Sequence, residues 1–276
     1  MQRTELRRLQ EAELNILKDF DEYCRQQGLQ YYLIGGALLG AERYGGFIPW
    51  DDDIDVAMPR EDYERLQELW KTTGLESCFL QSGKTDERFS RGILKIRRNG
   101  THISEKTSRH IPMHDGICID IFPIDYLSSA CRAKIALRAG MIRRLLSLRG
   151  IKNDYDNGRY TGLKRIIKTM LLPIGNECFD AGIERLCKKE NHGDRRFAVL
   201  FLHNYSWEKQ LHPSTVFGRG GICSFEGSAF SAPADAKGFL ETVFGEDYMQ
   251  EPGRERQVPP HHYCSVVFEE ENGDAG

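Results

Sequence analysis

Residues 49–60 read PWDDDIDVAMPR and place four carboxylates within five positions. Side chains alternate along an extended strand, so a strand over 53–58 directs Asp53 and Asp55 to one face and the apolar residues between them to the other. An acidic surface loop without a ligand is the alternative, but the apolar neighbours fit a half-buried strand better. Because clustered carboxylates repel one another, we expect Mg²⁺ or Mn²⁺ to bind them, with Asp51 as a further ligand.

A second apolar segment, GICIDIFPID over 116–125, contains one carboxylate in its middle. An ionisable group on such a strand needs a partner, and Asp120 completes a three-carboxylate site if this strand lies beside the first. The alternative is a buried Asp120 that caps a helix or pairs with an arginine. Asp125 follows Pro123 and is interpreted as a turn residue.

A diglycine follows the short apolar run of YYLIGGALLGAER, residues 31–43, at the start of a predicted helix. Backbone N–H groups of Gly35, Gly36 and Ala37 can approach an anion there, and the helix dipole favours negative charge. Gly-Gly is also common in ordinary tight turns, which is the alternative. A phosphate site beside a metal-binding strand is what phosphoryl or nucleotidyl transfer requires.

The segment ILKIRR, residues 93–98, puts Lys95 and Arg97 on one face of a predicted strand. Positive charge beside the cations can hold a diphosphate or stabilise a leaving group. The alternative is an exposed strand face that carries ordinary surface cations.

Composition excludes several classes of protein. The chain has 276 residues, a net charge of −3 and a mean hydropathy of −0.51, so a generally basic nucleic-acid binder and a membrane-spanning protein are both disfavoured. Eight cysteines form no C-x-x-C pair, and the charged amino terminus does not read as a secretory signal. We therefore expect a cytoplasmic protein with mostly buried thiols.

Strands and helices alternate over the first part of the chain, which predicts an α+β, layered fold. We expect a catalytic core with an N-terminal helix over 1–127, a basic helical region over 128–200, a C-terminal segment that packs on the core over 201–268, and a disordered tail over 269–276. Residues 132–168 hold eleven Lys or Arg and two Asp. This stretch predicts contact with an anionic membrane surface at the inner face or with a polyanionic acceptor, unless it is an ordinary solvated face.

The segment YYLIGGALLGAERYGGFIPWDDDIDVAMPREDYERL, residues 31–66, resembles the signature of the LicD family of phosphocholine and related transferases. The similarity continues through GICIDIFPIDYL and returns in FEGSAF, FGEDYM and PPHH. Fukutin-related ribitol-phosphate transferases are more distant relatives. The resemblance implies a nucleotidyltransferase-like mixed sheet. It also implies transfer of a phospho-alcohol from a CDP-activated donor to a sugar hydroxyl of a cell-surface glycan or a teichoic-acid precursor.

Carried over by position, the resemblance makes Asp53 and Asp55 paired metal ligands and catalytic residues, with Asp120 as the third carboxylate. It makes Gly35-Gly36 the phosphate turn. The family often has Thr where Ala37 stands and His at the position of Tyr44, so the resemblance implies the type of reaction and leaves the donor open.

The expected reaction is an in-line displacement at the donor diphosphate that releases CMP. If the alcohol is choline, its quaternary ammonium needs aromatic faces, for which we predict Trp50, Tyr31, Tyr32, Tyr44 or Trp207. One alternative is a nucleotidyltransferase that attacks an NTP and releases pyrophosphate. The other is a non-catalytic binding scaffold.

Overall fold

The computed structural model describes residues 3–106, 108–153, 162–261 and 263–268. The helices are α1 (Arg3–Gln27), α2 (Gly35–Tyr44), α3 (Arg60–Thr73), α4 (Arg132–Lys152), α5 (Gly162–Leu171), α6 (Asn176–Cys187) and α7 (Ala236–Phe244). The strands are β1 (Tyr32–Leu33), β2 (Asp55–Pro59), β3 (Cys78–Gln81), β4 (Leu94–Arg98), β5 (His102–Glu105), β6 (Cys118–Leu127), β7 (Phe197–Val199), β8 (Leu211–Pro213), β9 (Gly221–Phe225), β10 (Ser228–Ala232) and β11 (Tyr263–Val267).

The central sheet has the order β1-β2-β6-β4-β3, and β7 and β8 extend it from the second half of β6. Strands β2 and β6 run parallel, whereas their neighbours in the sheet pair antiparallel. Helices pack on this mixed sheet, which confirms the predicted α+β class. The hairpin β9-β10 and the pair β5-β11 lie outside the central sheet.

Helix α1 covers the sheet with an apolar stripe at helical spacing. Its Leu9, Ile16, Leu17 and Phe20 side chains are fully buried, and the helix lies against β6 and β4. Each such side chain contributes about 1.5–3 kcal/mol through burial. Gly28 follows the helix with a positive φ of 62°, as expected for a glycine that ends a helix.

Strand β6 is longer than the sequence predicts, and the interpretation of Asp125 as a turn residue is wrong. Pro123 fits within the strand because the pairing with β4 stops at Ile121 and the pairing with β7 starts at Asp125, so no ladder on that edge needs its missing N–H group. Asp125 is fully buried and accepts two hydrogen bonds, of 2.8 and 2.6 Å, from the Arg60 guanidinium.

One hydrophobic core includes side chains from α1, the sheet, α4, α6 and α7. The basic region is helical as predicted in α4 and α5, but residues 154–161 within it lie outside the described ranges. The expected tail, 269–276, also lies outside them. The four segment boundaries given by the sequence stay a prediction.

Candidate active site

A row of polar side chains crosses the sheet on one face. Asp55 of β2 and Asp120 of β6 are register partners on adjacent parallel strands. On the other side of β6, Lys95 pairs in register with Asp120, and its Nζ lies 2.6 Å from Asp120 Oδ1. Gln81 of β3 continues the row beside Lys95. Because register partners share a face, strand pairing alone brings two predicted catalytic carboxylates together.

The three aspartates before β2 lie in a loop that precedes the strand. The prediction that Asp53 is part of the strand is therefore wrong. Asp52 is fully buried, and its carboxylate accepts hydrogen bonds from the backbone N–H of His261 at 3.2 Å and contacts His261 Nδ1 at 2.9 Å. Tyr263 donates to the Asp52 carbonyl at 3.3 Å. Gln10 of α1 donates to the Asp51 carbonyl at 2.9 Å. The loop is therefore held by both ends of the chain.

The diglycine packs directly against these carboxylates. A Cβ atom on Gly35, whose φ is +57°, would lie 3.1 Å from Asp55 Oδ2. A Cβ atom on Gly36 would lie only 2.2 Å from Asp51 Oδ2. Gly35 is favoured by its left-handed φ, and the absence of a side chain at Gly36 lets Asp51 approach the backbone closely. Ala37 is buried in the same turn. Phosphate binding by this turn stays a prediction.

Burial and mutual repulsion raise the pKa values of two loop carboxylates. Burial is the largest cause for Asp53, whose pKa lies well above its usual value, and the charges of Asp55 and Asp51 raise it further. Burial, then the charges of Asp52 and Asp55, raise the pKa of Asp51 to about 7. Burying several carboxylates side by side has a high free-energy cost, because each charge loses water and repels its neighbours. A cation bound among the carboxylates lowers this cost.

Asp120 behaves differently because it has a cationic partner. Burial by itself would raise its pKa, but the charge and hydrogen bond of Lys95, with smaller effects of Arg91 and Arg97, hold the pKa below the usual value. Burial likewise acts to lower the pKa of Lys95, and the Asp120 carboxylate more than offsets this. The two residues form an ion pair at the centre of the row, in which Lys95 is buried and Asp120 is half-buried.

The hydrogen bonds of Arg97 and the ring contact of Trp50 are with residues other than Lys95 and Asp120. The Arg97 guanidinium donates to Gln81 Oε1 and to the Gly116 carbonyl, both at 2.6 Å, and the side chain is buried. These bonds give Arg97 a structural role, and its contact with substrate stays a prediction. Trp50 is half-buried and packs edge-on against Tyr44, with ring centroids 6.4 Å apart. The other aromatic candidates, Tyr31, Tyr32 and Trp207, are buried.

Within the described ranges, one group of side chains has ligand atoms close enough to share a metal ion. Carboxylate oxygens of Asp52 and Asp53 and a ring nitrogen of His261 all lie within 4.8 Å of one another. The predicted set of Asp53, Asp55 and Asp120 does not meet that closeness among the described residues. The charges of Asp55 and Asp120 nevertheless both raise the pKa of the Asp53 carboxyl. The acidic cluster thus offers oxygen ligands and one imidazole, a donor set suited to a divalent cation.

Sequence reasoning missed Glu13 of α1. Its side chain is buried, and its Oε2 has no hydrogen-bond partner among the described residues. Burial first, then the charges of Asp53 and Cys118, raises its pKa well above the usual value. A glutamate on the apolar stripe of an amphipathic helix was the signal that could have revealed it.

Sequence reasoning also missed His203, for which the local sequence holds no signal. Its Nδ1 accepts from the backbone N–H of Tyr205 at 3.3 Å, and its Nε2 faces Asp55 Oδ2 at 3.5 Å. Phe122 and Tyr205 pack against the ring, at centroid distances of 4.6 and 4.8 Å. His203 is therefore placed to orient Asp55.

A cavity of about 360 Å³ opens beside Asp120. Arg91 and Asn204 are polar groups in its wall, and its apolar lining comes from Ile93, Phe122, Leu146 and Leu202. A chamber with one acidic end and apolar walls suits an organic group attached to a phosphate.

Comparisons with known proteins agree with this geometry. A family model described as LicD/FKTN/FKRP, nucleotidyltransferase domain, matches residues 28–128, which contain the whole row. The lipopolysaccharide cholinephosphotransferase LicD of Haemophilus influenzae is 28% identical over 263 residues, covering 95% of this chain and 97% of that protein. The mouse and human ribitol 5-phosphate transferases FKRP are 48% identical over 42 residues, which is 15% of this chain and 8% of theirs. Residues 28–128 thus form a domain of the LicD/FKTN/FKRP type, and the similarity to a cholinephosphotransferase over nearly the whole chain supports a LicD-like phosphotransferase.

Proposed function

We propose that this protein transfers a phospho-alcohol, phosphocholine or a similar group, from a CDP-activated donor to a sugar hydroxyl of a cell-surface glycan or a teichoic-acid precursor. The observation that carries the proposal is the register pairing of Asp55 with Asp120 beside the acidic loop and the diglycine. The end-to-end similarity to a cholinephosphotransferase supports phosphocholine as the first group to test.

We propose Mg²⁺ or Mn²⁺ as the cofactor, because the clustered carboxylates are oxygen donors and burial already penalises their charge. The ion would bind Asp53. The sequence predicts Asp51, Asp55 and Asp120 as its further ligands, and Asp52 and His261 lie close enough to Asp53 to contribute as well. A bound divalent cation supplies charge neutralisation at the diphosphate and a lower pKa for the attacking hydroxyl.

The chain's own residues complete the proposed reaction. The acceptor hydroxyl oxygen forms a bond to the donor phosphorus as the bond to the CMP oxygen breaks, and a carboxylate of the cluster takes the hydroxyl proton. Lys95 keeps Asp120 anionic and in place through their 2.6 Å contact. The cavity beside Asp120 holds an organic part of a substrate and excludes water from the phosphorus.

The decisive experiment compares donors with the full-length protein and Mg²⁺. We expect CMP release from CDP-choline, CDP-glycerol or CDP-ribitol that requires both metal and a glycan acceptor. Pyrophosphate release from an NTP would assign the nucleotidyltransferase alternative instead. Absence of every product, together with no metal-dependent thermal shift, would assign the scaffold.

Asp53→Asn tests the site itself. We expect loss of turnover with an unchanged fold, because the substitution removes a charge from a repulsive cluster and leaves the side-chain size unchanged. Asp194→Asn, at an exposed position, is the matched control and should keep wild-type turnover. An active, metal-dependent Asp53→Asn enzyme would exclude this site.

We further propose that the protein works in the cytoplasm. All eight cysteines lie in the described ranges and none forms a disulfide there, as suits a reducing compartment. The expectation that most of them are buried is wrong, because only Cys24, Cys78 and Cys187 are. No helix in the ranges described is both long and apolar enough to cross a bilayer. Fractionation of cells that express a tagged full-length chain checks the location.

A further inference from the structure

Helix α5 exposes its apolar side chains. Leu163, Ile166 and Met170 are 69%, 54% and 69% exposed, and their spacing of three and four residues places them along one side of the helix. None of the residues of α5 is buried. Single exposed apolar side chains are ordinary on protein surfaces, but a row of large ones marks a contact site. We call these three side chains the α5 face.

The exposed apolar surface continues beyond the α5 face. Leu172 and Ile174, directly after the helix, are 59% and 39% exposed. On the preceding helix α4, Leu137 and Met141 are 66% and 41% exposed, one helical turn apart. The core holds the opposite side of α4 through the buried Ile135 and other residues of its inner face. The exposed residues are therefore a surface feature of a folded helix pair.

The charge of helices α4 and α5 indicates which kind of partner this surface can bind. Helices α4 and α5 contain ten Lys or Arg and neither Asp nor Glu. Arg138 and Arg149 are buried and pair with Glu190 and Asp180, so they serve the fold. The exposed cations are outside the core; they include Arg143, Arg144 and Arg165. Two copies of the chain that met through these helices would bring like charges together. An anionic surface, by contrast, attracts the cations of both helices.

We infer that the α5 face inserts into the headgroup region of an anionic lipid bilayer, with the cations of α4 and α5 against the lipid phosphates. A helix that lies in a membrane interface combines one apolar side with flanking Lys and Arg, and its affinity grows with the apolar area buried and with the negative charge of the lipids. The row on α5 and the one-signed charge meet both conditions. This inference goes beyond the proposed reaction and does not depend on it.

Vesicle co-sedimentation of the full-length protein tests the inference. We expect binding to phosphatidylcholine vesicles that contain phosphatidylglycerol, weaker binding without it, and a loss of affinity as salt screens the attraction. Replacing the α5 face (Leu163→Gln, Ile166→Gln and Met170→Gln together) should weaken binding by more than about tenfold, since three apolar side chains no longer leave water. The matched control replaces exposed apolar residues elsewhere: Ile222→Gln, Met249→Gln and Val258→Gln.

The outcomes separate the alternatives. No binding of the wild type to anionic vesicles at low salt overturns the inference, and so does a triple variant that binds as tightly as the wild type while keeping its thermal midpoint. A wild-type dimer in solution that the triple variant abolishes would assign the α5 face to a second copy. Binding to soluble polyglutamate without binding to vesicles would assign the surface to an acidic polymer. Because no readout uses turnover, failure here leaves the proposed reaction untouched.

Discussion

The substitution Gly36→Ala tests whether the reaction needs the close contact between this glycine and Asp51, because it should disturb that contact without lowering the stability of the fold. The new Cβ would lie 2.2 Å from Asp51 Oδ2, and ordinary van der Waals contact begins at 3.4 Å, so the carboxylate must move by about 1.2 Å. Asp51 can swing away because the clash is with the end of a side chain. Gly36 lies in α2 without a positive φ, so alanine favours the helix by up to about 1 kcal/mol.

A displacement near 1 Å in a reacting constellation costs about 10²-fold in rate, or roughly 2.7 kcal/mol of transition-state stabilisation. We therefore expect Gly36→Ala to lower kcat for metal-dependent CMP release about a hundredfold with a thermal midpoint within a few degrees of wild type. Gly140→Ala in α4 is the matched control, because a Cβ atom there meets nothing within 4 Å. Calorimetric Mn²⁺ binding gives a second readout. Wild-type kcat and metal affinity in Gly36→Ala would refute the reasoning.

Three further outcomes follow from the structure. Lys95→Met leaves the half-buried Asp120 carboxylate without its partner, so chemical denaturation should show a loss of about 1–3 kcal/mol, partly recovered in Lys95→Met with Asp120→Asn; an unchanged stability would contradict the ion pair. Burial lowers the pKa of His212 to about 4, so the unfolded chain takes up this proton first as pH falls. Stability from His212 is complete above the usual pKa of 6.5 and is lost towards pH 4, by up to about 3 kcal/mol. His212→Phe should flatten this part of the pH–stability curve, whereas His192→Phe, at an exposed position, should not. Chelation by EDTA should abolish turnover, and Mg²⁺ at 100 times its Kd should add about 2.7 kcal/mol of stability; equal thermal midpoints with and without Mg²⁺ would argue against a resident cation.

The ion pair gives Lys95 a protein partner inside the candidate site. From the sequence, Lys95 was a candidate for diphosphate binding. In the structure its Nζ is committed to Asp120, and the residue is only 5% exposed. We therefore propose that Lys95 acts on the reaction through the charge state and position of Asp120, and its contact with a diphosphate stays a prediction.

Local patterns in the sequence determined the elements of this protein. The alternation of polar and apolar residues around Asp55 and Asp120 predicts two strands with carboxylates on a defined face, because the side-chain period of a strand is two. Helical spacing likewise predicts α1, α4 and α5. The signature over 31–66 sufficed to suggest the LicD family, and the family model matches residues 28–128, which contain both carboxylates.

Tertiary structure alone decided which distant groups meet. Asp52 meets His261 across 209 residues of chain, and Asp125 meets Arg60 across 65 residues. No local period encodes such pairs, because they depend on how β6, α3 and the C-terminal segment pack together. The same packing turned Lys95 towards Asp120 and buried Glu13 against the acidic loop. The residues that hold the cluster in place were therefore visible only when the sheet and the helices were assembled, since burial and charge pairing are properties of the folded chain.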